Sequence, residues 1–499
     1  MRGRWLLVLG FSVGWVGLTS AVEKVEETPP VQTMSLERAL DLAGQNSPTM
    51  KKVKLSRERS RQTLLAQKAS TKASFSLGVD PISYSNRMNF DTRYSSWYRY
   101  ENTSTSTNLS ISQPIVATNT TLLLQNVLGW QKTFSNYQGT VATDQSFIND
   151  LYLSLSQPLF TYNTRKSTLK QLKLEVEQAE ISYALASLSM ERSVTSLFYS
   201  AYMAQLQLDI AVEELRNTQK SRDVMADKVE TGMAASVELY QADLNLASAK
   251  LGLKNKKVSL ENSLIRLKQY LGYDLNAAIR IVATIETNED LVIDPEKAVQ
   301  RGLAARMELR QQQMDLEYQQ LYLEQVKEIN DFDASVNLSI GLTGNNNMLR
   351  RVYDTPSKSP SVGVSLTLPL FDWGERKARI KAQEASLQSS KIDLESQQTE
   401  IRVEIGEICR NMENYRSQMD IERQSQRNAE LAYAINQEKF SNGDLTSMDL
   451  NLYQSQLSTR RIALVQAQIN YKLALLNLKI ATLYDLERQQ SVVIHNQTN

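Results

Sequence analysis

The chain repeats part of its own sequence, and this constrains its fold more than any other feature. The stretch KVETGMAAS at 228–236 has a counterpart 211 positions later, KFSNGDLTS at 439–447. In both stretches a Gly follows the Lys by four residues, and a Ser follows the Gly by four. A repeat at a fixed offset indicates that one structural unit is built twice. We therefore expect the two halves of the chain to share one plan.

A second offset shows how the halves differ. The motif SLERALDLAGQNSP at 35–48 aligns with DPEKAVQRGLAARM at 294–307 at an offset of 259. The first half therefore carries 48 extra residues, between about 82 and 150. We expect each half to contain a helix, strands, a very long helix, a turn and a returning helix. The expected parts are a signal peptide (1–21), a first repeat (22–285), a second repeat (286–485) and a C-terminal tail (486–499).

Proline and glycine mark the long helices by their absence. No Gly occurs from 161 to 231, and only Gly406 lies between 375 and 442. No Pro lies between Pro158 and Pro295, and none follows Pro369. A helix interior loses about 3 kcal/mol to a Pro and about 1 kcal/mol to a Gly. Unbroken helices are therefore predicted over 161–231 and 374–442, each on the order of 100 Å long.

Short stretches with strict alternation predict strands. In 361–371 and 334–343, apolar residues alternate with Ser, Gly, Thr, Asn and Pro, and shorter versions occur at 75–79 and 151–156. Strands with one apolar and one small polar face fit a transmembrane barrel, with lipid outside and water inside. A soluble sandwich, whose strands also alternate, is the alternative. Four strands cannot enclose a useful lumen, so a barrel requires several chains.

The extra residues of the first half contain a candidate hairpin. SISQPIV at 110–116 resembles SLSQPLF at 154–160, and NTTLLLQNVLG at 119–129 suits a return strand. Two added strands preserve the chain direction, whereas one would reverse it. Whether the hairpin joins the barrel stays open at this point. The aromatic residues nearby form either an interfacial girdle or a packed surface loop; they are Tyr84, Phe90, Tyr94, Trp97, Tyr98, Tyr100 and Trp130.

The N-terminus and the composition restrict location and chemistry. Two Arg precede an apolar run from Trp5 to Leu18 and then small residues, which predicts a cleaved signal peptide and export. The chain has 56 Lys and Arg against 55 Asp and Glu, so no basic excess points to nucleic acid. It has a single Cys, Cys409, and a single His, His495, and it lacks a phosphate-binding loop or a serine-hydrolase motif. We expect no enzyme activity, no cofactor and no metal site.

Taken in order, these motifs resemble the TolC family of trimeric outer-membrane efflux proteins, over essentially the whole mature chain. The motif at 35–48, the two PLF strand ends and the two Gly turns carry the resemblance. It implies an α+β membrane protein that forms a homotrimer in the lipid of the outer membrane. The implied barrel has 12 strands, four from each protomer, with the inserted hairpin as a possible addition. A long periplasmic α-helical coiled-coil barrel would continue it.

The resemblance also implies a function. It is that of a passive outer-membrane exit duct in a tripartite pump, which exports small molecules or drugs. The partners would be a periplasmic membrane-fusion adaptor and an inner-membrane transporter. An exit duct for type I protein secretion is the alternative within this class. A non-conducting coiled-coil scaffold of the envelope is the alternative from a different class.

The two turns are the candidate functional site. Gly232 and Gly443 supply backbone freedom between long helices, and Ser236 and Ser447 are placed to cap the returning helices. The resemblance implies that these turns lie at the periplasmic tips and dock the adaptor.

Acidic residues follow each turn. Glu238 and Asp449 come six residues after their Gly, where an acid also interacts favourably with a helix N-terminus. The resemblance implies that Asp449 belongs to an acidic ring in the constriction and that Glu238 helps to keep it closed. Phe440 and Leu445 stand where some family members carry a hydroxyl and an Arg that latch neighbouring hairpins. A latch here would need Asp444, Asn442 or apolar contact.

Overall fold

The computed structural model describes residues 32–93, 95–137, 140–285, 293–329, 332–442, 444–486 and 489–491. The expected signal peptide, Gly443, Tyr94 and most of the C-terminal tail lie outside the described residues.

Helices and strands alternate along the chain in long blocks. The helices are α1 (Leu36–Asn46), α2 (Pro48–Ser70), α3 (Thr164–Glu230), α4 (Ser236–Leu271), α5 (Pro295–Ala305), α6 (Met307–Ile329), α7 (Glu375–Asn442) and α8 (Ser447–Thr482). The strands are β1 (Gln32–Met34), β2 (Ser74–Asp91), β3 (Ser96–Ile115), β4 (Thr120–Tyr137), β5 (Thr140–Leu159), β6 (Ile279–Ile281), β7 (Asp333–Asn346), β8 (Ser357–Lys358), β9 (Ser361–Thr367), β10 (Tyr484–Asp485) and β11 (Gln490–Ser491).

The element bounds recur at the two sequence offsets. α3 and α4 begin 211 residues before α7 and α8, and α1, α2 and β2 begin 259 residues before α5, α6 and β7. Strands β3 and β4 lie where the offset changes. They are therefore the structural content of the extra residues.

The long helices form one layer. α3 has 67 residues and α7 has 68, so each is on the order of 100 Å long. α3 pairs with α4 and α7 pairs with α8, and α3 also contacts α8, so the order across the layer is α4, α3, α8, α7. α2 packs on α3, and α6 packs on α7. Among the described residues, no helix is both long and apolar enough to cross a membrane.

The largest core lies where the short helices α1 and α2 meet the helical pair α3–α4. Phe198 of α3 is fully buried there, with Leu267 and Leu271 of α4. The parallel pair β1 and β6 closes this core. Gln205 of α3 satisfies the backbone of Ile281 in β6. The side-chain amide of Gln205 accepts from the nitrogen of Ile281 at 3.0 Å and donates to the oxygen of Ile281 at 3.1 Å. A second core with Ile401, Ile405 and Leu478 lies under α5.

The large sheet is antiparallel throughout, in the order β2, β3, β4, β5, β7. β9 and β8 lie one after the other along the far side of β7, so the sheet has six strand positions. The inserted hairpin β3–β4 therefore joins the sheet and adds two strands to the four that were predicted. The nearby aromatic residues that are described lie on β2, β3 and β4, which excludes the surface-loop alternative for them.

The two faces of the sheet differ in chemistry. The strand register places five apolar side chains side by side on one face: Phe75, Ile111, Leu124, Leu153 and Ile340. The other face carries hydroxyl pairs across the strands: Ser76 with Ser110 at 2.6 Å, Ser335 with Ser365 at 2.7 Å and Ser339 with Ser361 at 2.8 Å. This is the arrangement of a wall between an apolar phase and water.

Candidate functional site

The first turn between long helices has the geometry that requires glycine. The nitrogen of Met233 donates to the oxygen of Lys228 at 2.8 Å, and the nitrogen of Gly232 donates to the oxygen of Val229 at 3.1 Å. This pair of bonds is the Schellman motif, which ends a helix with one left-handed residue. Gly232 has φ = 72°, so a side chain there would strain the backbone although space is free around it.

The second turn repeats the first at the same offset. The nitrogen of Asp444 donates to the oxygen of Lys439 at 3.0 Å, which corresponds residue for residue to the bond from Met233 to Lys228. Gly443 itself lies outside the described residues. The shared sequence of the two stretches therefore encodes a shared way of ending the helix.

The caps of the returning helices differ from the prediction by one residue. Ala235 is the N-cap of α4 and makes no side-chain bond, and Thr446 is the N-cap of α8. Ser236 and Ser447 are the first helical residues, so the prediction that they cap is wrong. A cap needs an extended backbone, which Thr446 has with ψ = 157°, and its hydroxyl accepts from the nitrogen of Asp449 at 3.2 Å.

The two turns contact each other through one lysine. Nζ of Lys228 donates to the backbone oxygen of Phe440 at 3.0 Å and lies 5.1 Å from the centre of its ring. The ring of Phe440 is only 5% exposed. It belongs to a small apolar cluster, the tip cluster, formed by Met225, Ala242, Phe440 and Leu450.

The tip cluster shows what Phe440 and Leu445 do in place of hydrogen bonds. Phe440 is one of its buried members, and Leu445 packs against the cluster from the second turn. Sequence reasoning missed Lys228 as a contact residue, although the Lys shared by the two stretches was a signal. Its counterpart Lys439 is exposed, so the repeat alone does not say which of the two makes the contact.

The structure places both acids in the first turn of their helices. Oδ2 of Asp449 accepts from the hydroxyl of Thr446 at 2.7 Å, and the backbone nitrogen of Glu238 donates to Ala235 at 3.0 Å. Each carboxylate lies where it interacts favourably with the helix dipole. Asp444 is exposed beside the second turn. One chain does not bring these acids into a ring.

Ion pairs join the helices above the turns. Nε of Arg222 in α3 donates to Asp243 in α4 at 2.8 Å, and this bond raises the pKa of Arg222 above its usual value. Arg461 in α8 bridges Glu213 in α3 at 3.1 Å and Glu430 in α7 at 3.7 Å. Because these groups are partly exposed, each pair adds little stability and chiefly aligns the helices.

Two observations bear on metal binding and nucleophilic chemistry in the described residues. These residues contain no group of three or more His, Cys, Asp or Glu that could hold a metal ion. Cys409 is buried and unpaired, and burial raises the pKa of its thiol. A raised pKa disfavours the thiolate that nucleophilic or metal chemistry needs.

The two-faced sheet, the 100 Å helical layer and the paired turns define the class of an outer-membrane channel. Residues 129–273 and 330–482 match the family model described as outer membrane efflux protein, and the chain belongs to that family. The members of the family are channel proteins of the outer membrane.

Individual relatives are distant. Protein CyaE of Bordetella pertussis is 24% identical over 255 residues, and the match covers 48% of this chain and 50% of CyaE, about half of its length. The CmeC outer membrane channel of Campylobacter jejuni has a TM-score of 0.66 at 18% identity, over 90% of this chain and 85% of CmeC. The outer membrane protein VceC of Vibrio cholerae has a TM-score of 0.64 at 16% identity, over 90% of this chain and 95% of VceC. At these identities the solved structures establish the fold.

Proposed function

We propose that the protein is the passive exit duct of a tripartite efflux pump, which carries small molecules across the outer membrane. A periplasmic adaptor and an inner-membrane transporter would supply the cargo and the energy. The observation that carries this proposal is the continuity between a sheet with one apolar and one hydroxyl face and a helical layer on the order of 100 Å long. The division into signal peptide 1–21, repeats 22–285 and 286–485, and tail 486–499 is part of the proposal.

An exposed stripe on α4 supports a homotrimer. Four apolar side chains recur every seven residues and are between 45% and 63% exposed: Leu244, Leu251, Val258 and Ile265. A repeat of seven is the spacing of a coiled-coil seam, and an exposed apolar stripe of this length calls for a partner. α4 and α7 lie at opposite edges of the layer, so we infer that α4 packs on α7 of the next protomer.

Three copies would place six turns around one end of the tube. We propose that the turns at Gly232, Ser236, Gly443 and Ser447 dock the adaptor there. Val237 and its counterpart Met448 support this, because they are 71% and 65% exposed at the start of the two returning helices. Exposed apolar side chains at equivalent places suit a repeated docking surface.

The acids at the turns would form the constriction. In this proposal Asp449 contributes one carboxylate from each protomer to a ring, with Glu238 and Asp444 beside it. A ring of carboxylates attracts cations and repels anions. The duct is then expected to conduct weakly and to prefer cations while its tips are closed.

Single-channel recording of the purified protein in a planar bilayer tests the duct. Asp449→Asn removes the charge and leaves an oxygen that can still accept from Thr446, so the cap survives. We expect a small cation-selective conductance in the unmodified protein and reduced selectivity in Asp449→Asn. Asp393→Ala, an exposed acid far along α7, is the control and should leave selectivity unchanged.

The possible results separate the functions. Conductance with unchanged selectivity in Asp449→Asn would keep the duct and remove Asp449 from the constriction. A folded, membrane-inserted oligomer that never conducts, even after the tip contacts are weakened, would favour the envelope scaffold.

A further inference from the structure

The inserted hairpin is built into the sheet along its whole length. β3 pairs with β4 continuously from Arg99 opposite Asn136 to Ile115 opposite Thr120. β2 and β5 flank this hairpin with ladders that are nearly as long. The two added strands therefore lie in the wall, between strands that both repeats possess.

The start of α3 fastens the inner turn of this hairpin. Nη1 of Arg165 donates to the oxygens of Asn119 at 3.1 Å and Thr120 at 2.9 Å, and Nη2 donates to the hydroxyl of Thr121 at 2.9 Å. Arg376, the counterpart of Arg165 in the second half, instead donates to the oxygen of Lys327 at 2.9 Å. The first half thus uses an Arg that both halves share to hold its extra strands.

The two edges of the sheet are complementary. Counting across six antiparallel positions, β9 runs opposite to β2, so β9 of one copy can pair with β2 of the next as an antiparallel neighbour. Both edge segments are exposed throughout: the seven residues 74–80, which precede an irregularity after Asp80, and the seven residues of β9. An open edge of this kind does not persist within lipid.

Full overlap of these two segments gives a matched register. It sets Phe75 opposite Leu366, Leu77 opposite Val364 and Val79 opposite Val362, on the apolar face. On the hydroxyl face it sets Ser76 opposite Ser365. Each face of one sheet then continues into the same face of the next.

We propose that β9 of each protomer pairs with β2 of its neighbour, so that three copies close a barrel of eighteen strands instead of twelve. This inference rests on the trimeric duct proposed above and specifies the width of its exit. A head-to-tail contact of this kind closes into a ring when the rotation between copies allows it.

The added strands change the size of the exit. With strands about 4.8 Å apart and tilted by about 40°, eighteen strands give a backbone diameter of about 36 Å, against about 24 Å for twelve. Barrels of 16–18 strands leave an aqueous channel. The exit of this duct is therefore wide and lined by hydroxyl groups, and the helical tips, not the barrel, limit the size of the cargo.

Disulfide cross-linking tests the strand pairing. In a Cys409→Ser background, Ser76→Cys is combined with Ser365→Cys, and the membranes are oxidised. The register above places the two thiols on neighbouring strands, so we expect covalently linked trimers. The control combines Ser110→Cys with Ser365→Cys, because Ser110 lies on the same face one strand further from the edge. This control should yield no linked trimer.

Electron microscopy of the trimer in lipid nanodiscs measures the barrel directly. We expect a backbone diameter of about 36 Å in the unmodified protein, and about two thirds of that value after deletion of residues 96–137. Trimers that conduct ions but have the narrow barrel, or that cross-link through Ser110→Cys, would overturn the inference and leave the duct intact. Failure to find any membrane-inserted trimer would instead overturn the duct.

Discussion

The contact between the two turns can be tested by changing one atom group. Lys228→Met keeps an unbranched apolar side chain of nearly the same reach as the Lys stem but removes the ammonium that donates to Phe440. A hydrogen bond from a charged group contributes about 1.5–3 kcal/mol, and a cation–π contact at an exposed site about 0.5–1 kcal/mol. Lys228 is half-buried, and Met retains the packing. We therefore expect the net loss to be about 1–2 kcal/mol, toward the lower end of these ranges.

Amide hydrogen exchange of the purified protein measures this loss locally. When opening and closing are fast, the exchange rate follows the free energy of local opening, and each 1.4 kcal/mol is about a factor of ten. Amides around Met225 and Phe440 should therefore exchange about five to thirty times faster in Lys228→Met. Amides in the core around Phe198, far up the same helix, should exchange as before.

Lys439→Met is the matched control. Lys439 occupies the equivalent place in the second stretch but is exposed, so its loss should leave exchange at both turns unchanged. If the two variants gave the same exchange at the tip cluster, the contact from Lys228 to Phe440 would not stabilise the turns, and the reasoning would fail. In the bilayer assay, Lys228→Met should also raise the fraction of time that the duct is open.

Three further predictions follow from the packing. Arg165→Ala should loosen the turn at 116–119, which Asn163 still contacts, and speed its proteolysis in detergent, whereas Arg376→Ala should not; equal cleavage would contradict the fastening. Phe198→Ala should lower the free energy of unfolding by about 3–5 kcal/mol in a denaturant titration, because the ring is fully buried; a loss below about 1 kcal/mol would contradict that packing. Burial raises the pKa of Tyr318 to about 12, so stability from its neutral hydroxyl is complete below the unfolded value near 10 and is lost as the pH rises toward 12. Ultraviolet titration should show a late-ionising tyrosine, and loss of that step in Tyr318→Phe would assign it.

The two-faced sheet could be predicted because its pattern is local. Val362 and Val364 alternate with Gly363 and Ser365, and the period of two places them on opposite faces whatever the strand pairs with. The mixed helical and sheet content and the family followed from such patterns, together with the order of the motifs.

Membership of the hairpin in the sheet could not be predicted in the same way. Ser76 and Ser110 form a pair, but no local pattern distinguishes a strand that joins a sheet from one that folds away from it. Two added strands leave the direction of the following helix unchanged, whether they join the sheet or fold away from it. Only the long-range pairing decides between the two.

The details of the turns also depended on geometry that sequence leaves undetermined. Thr446 and Ser447 are both good caps, and the backbone angle of one residue decides between them. Lys228 and Lys439 are equivalent in the repeat, but only the packing of α3–α4 against α7–α8 shows that Lys228 reaches the other turn. Equivalent residues lose their equivalence where the two halves meet.

The pairing of β1 with β6 has a consequence for the order in which the protein folds. Gln32 pairs with Ile279 and Met34 pairs with Ile281, so two short parallel strands close a loop that contains β2 to β5 and the whole first hairpin. Closing a flexible loop of this length costs about 5 kcal/mol in chain entropy. Because β6 follows α4 in the chain, we expect Met34, which is buried in the finished protein, to stay in water until β6 has formed. In the first half, β1, which is first in the sequence, should thus be the last strand to pair, after α3 and α4 have packed together.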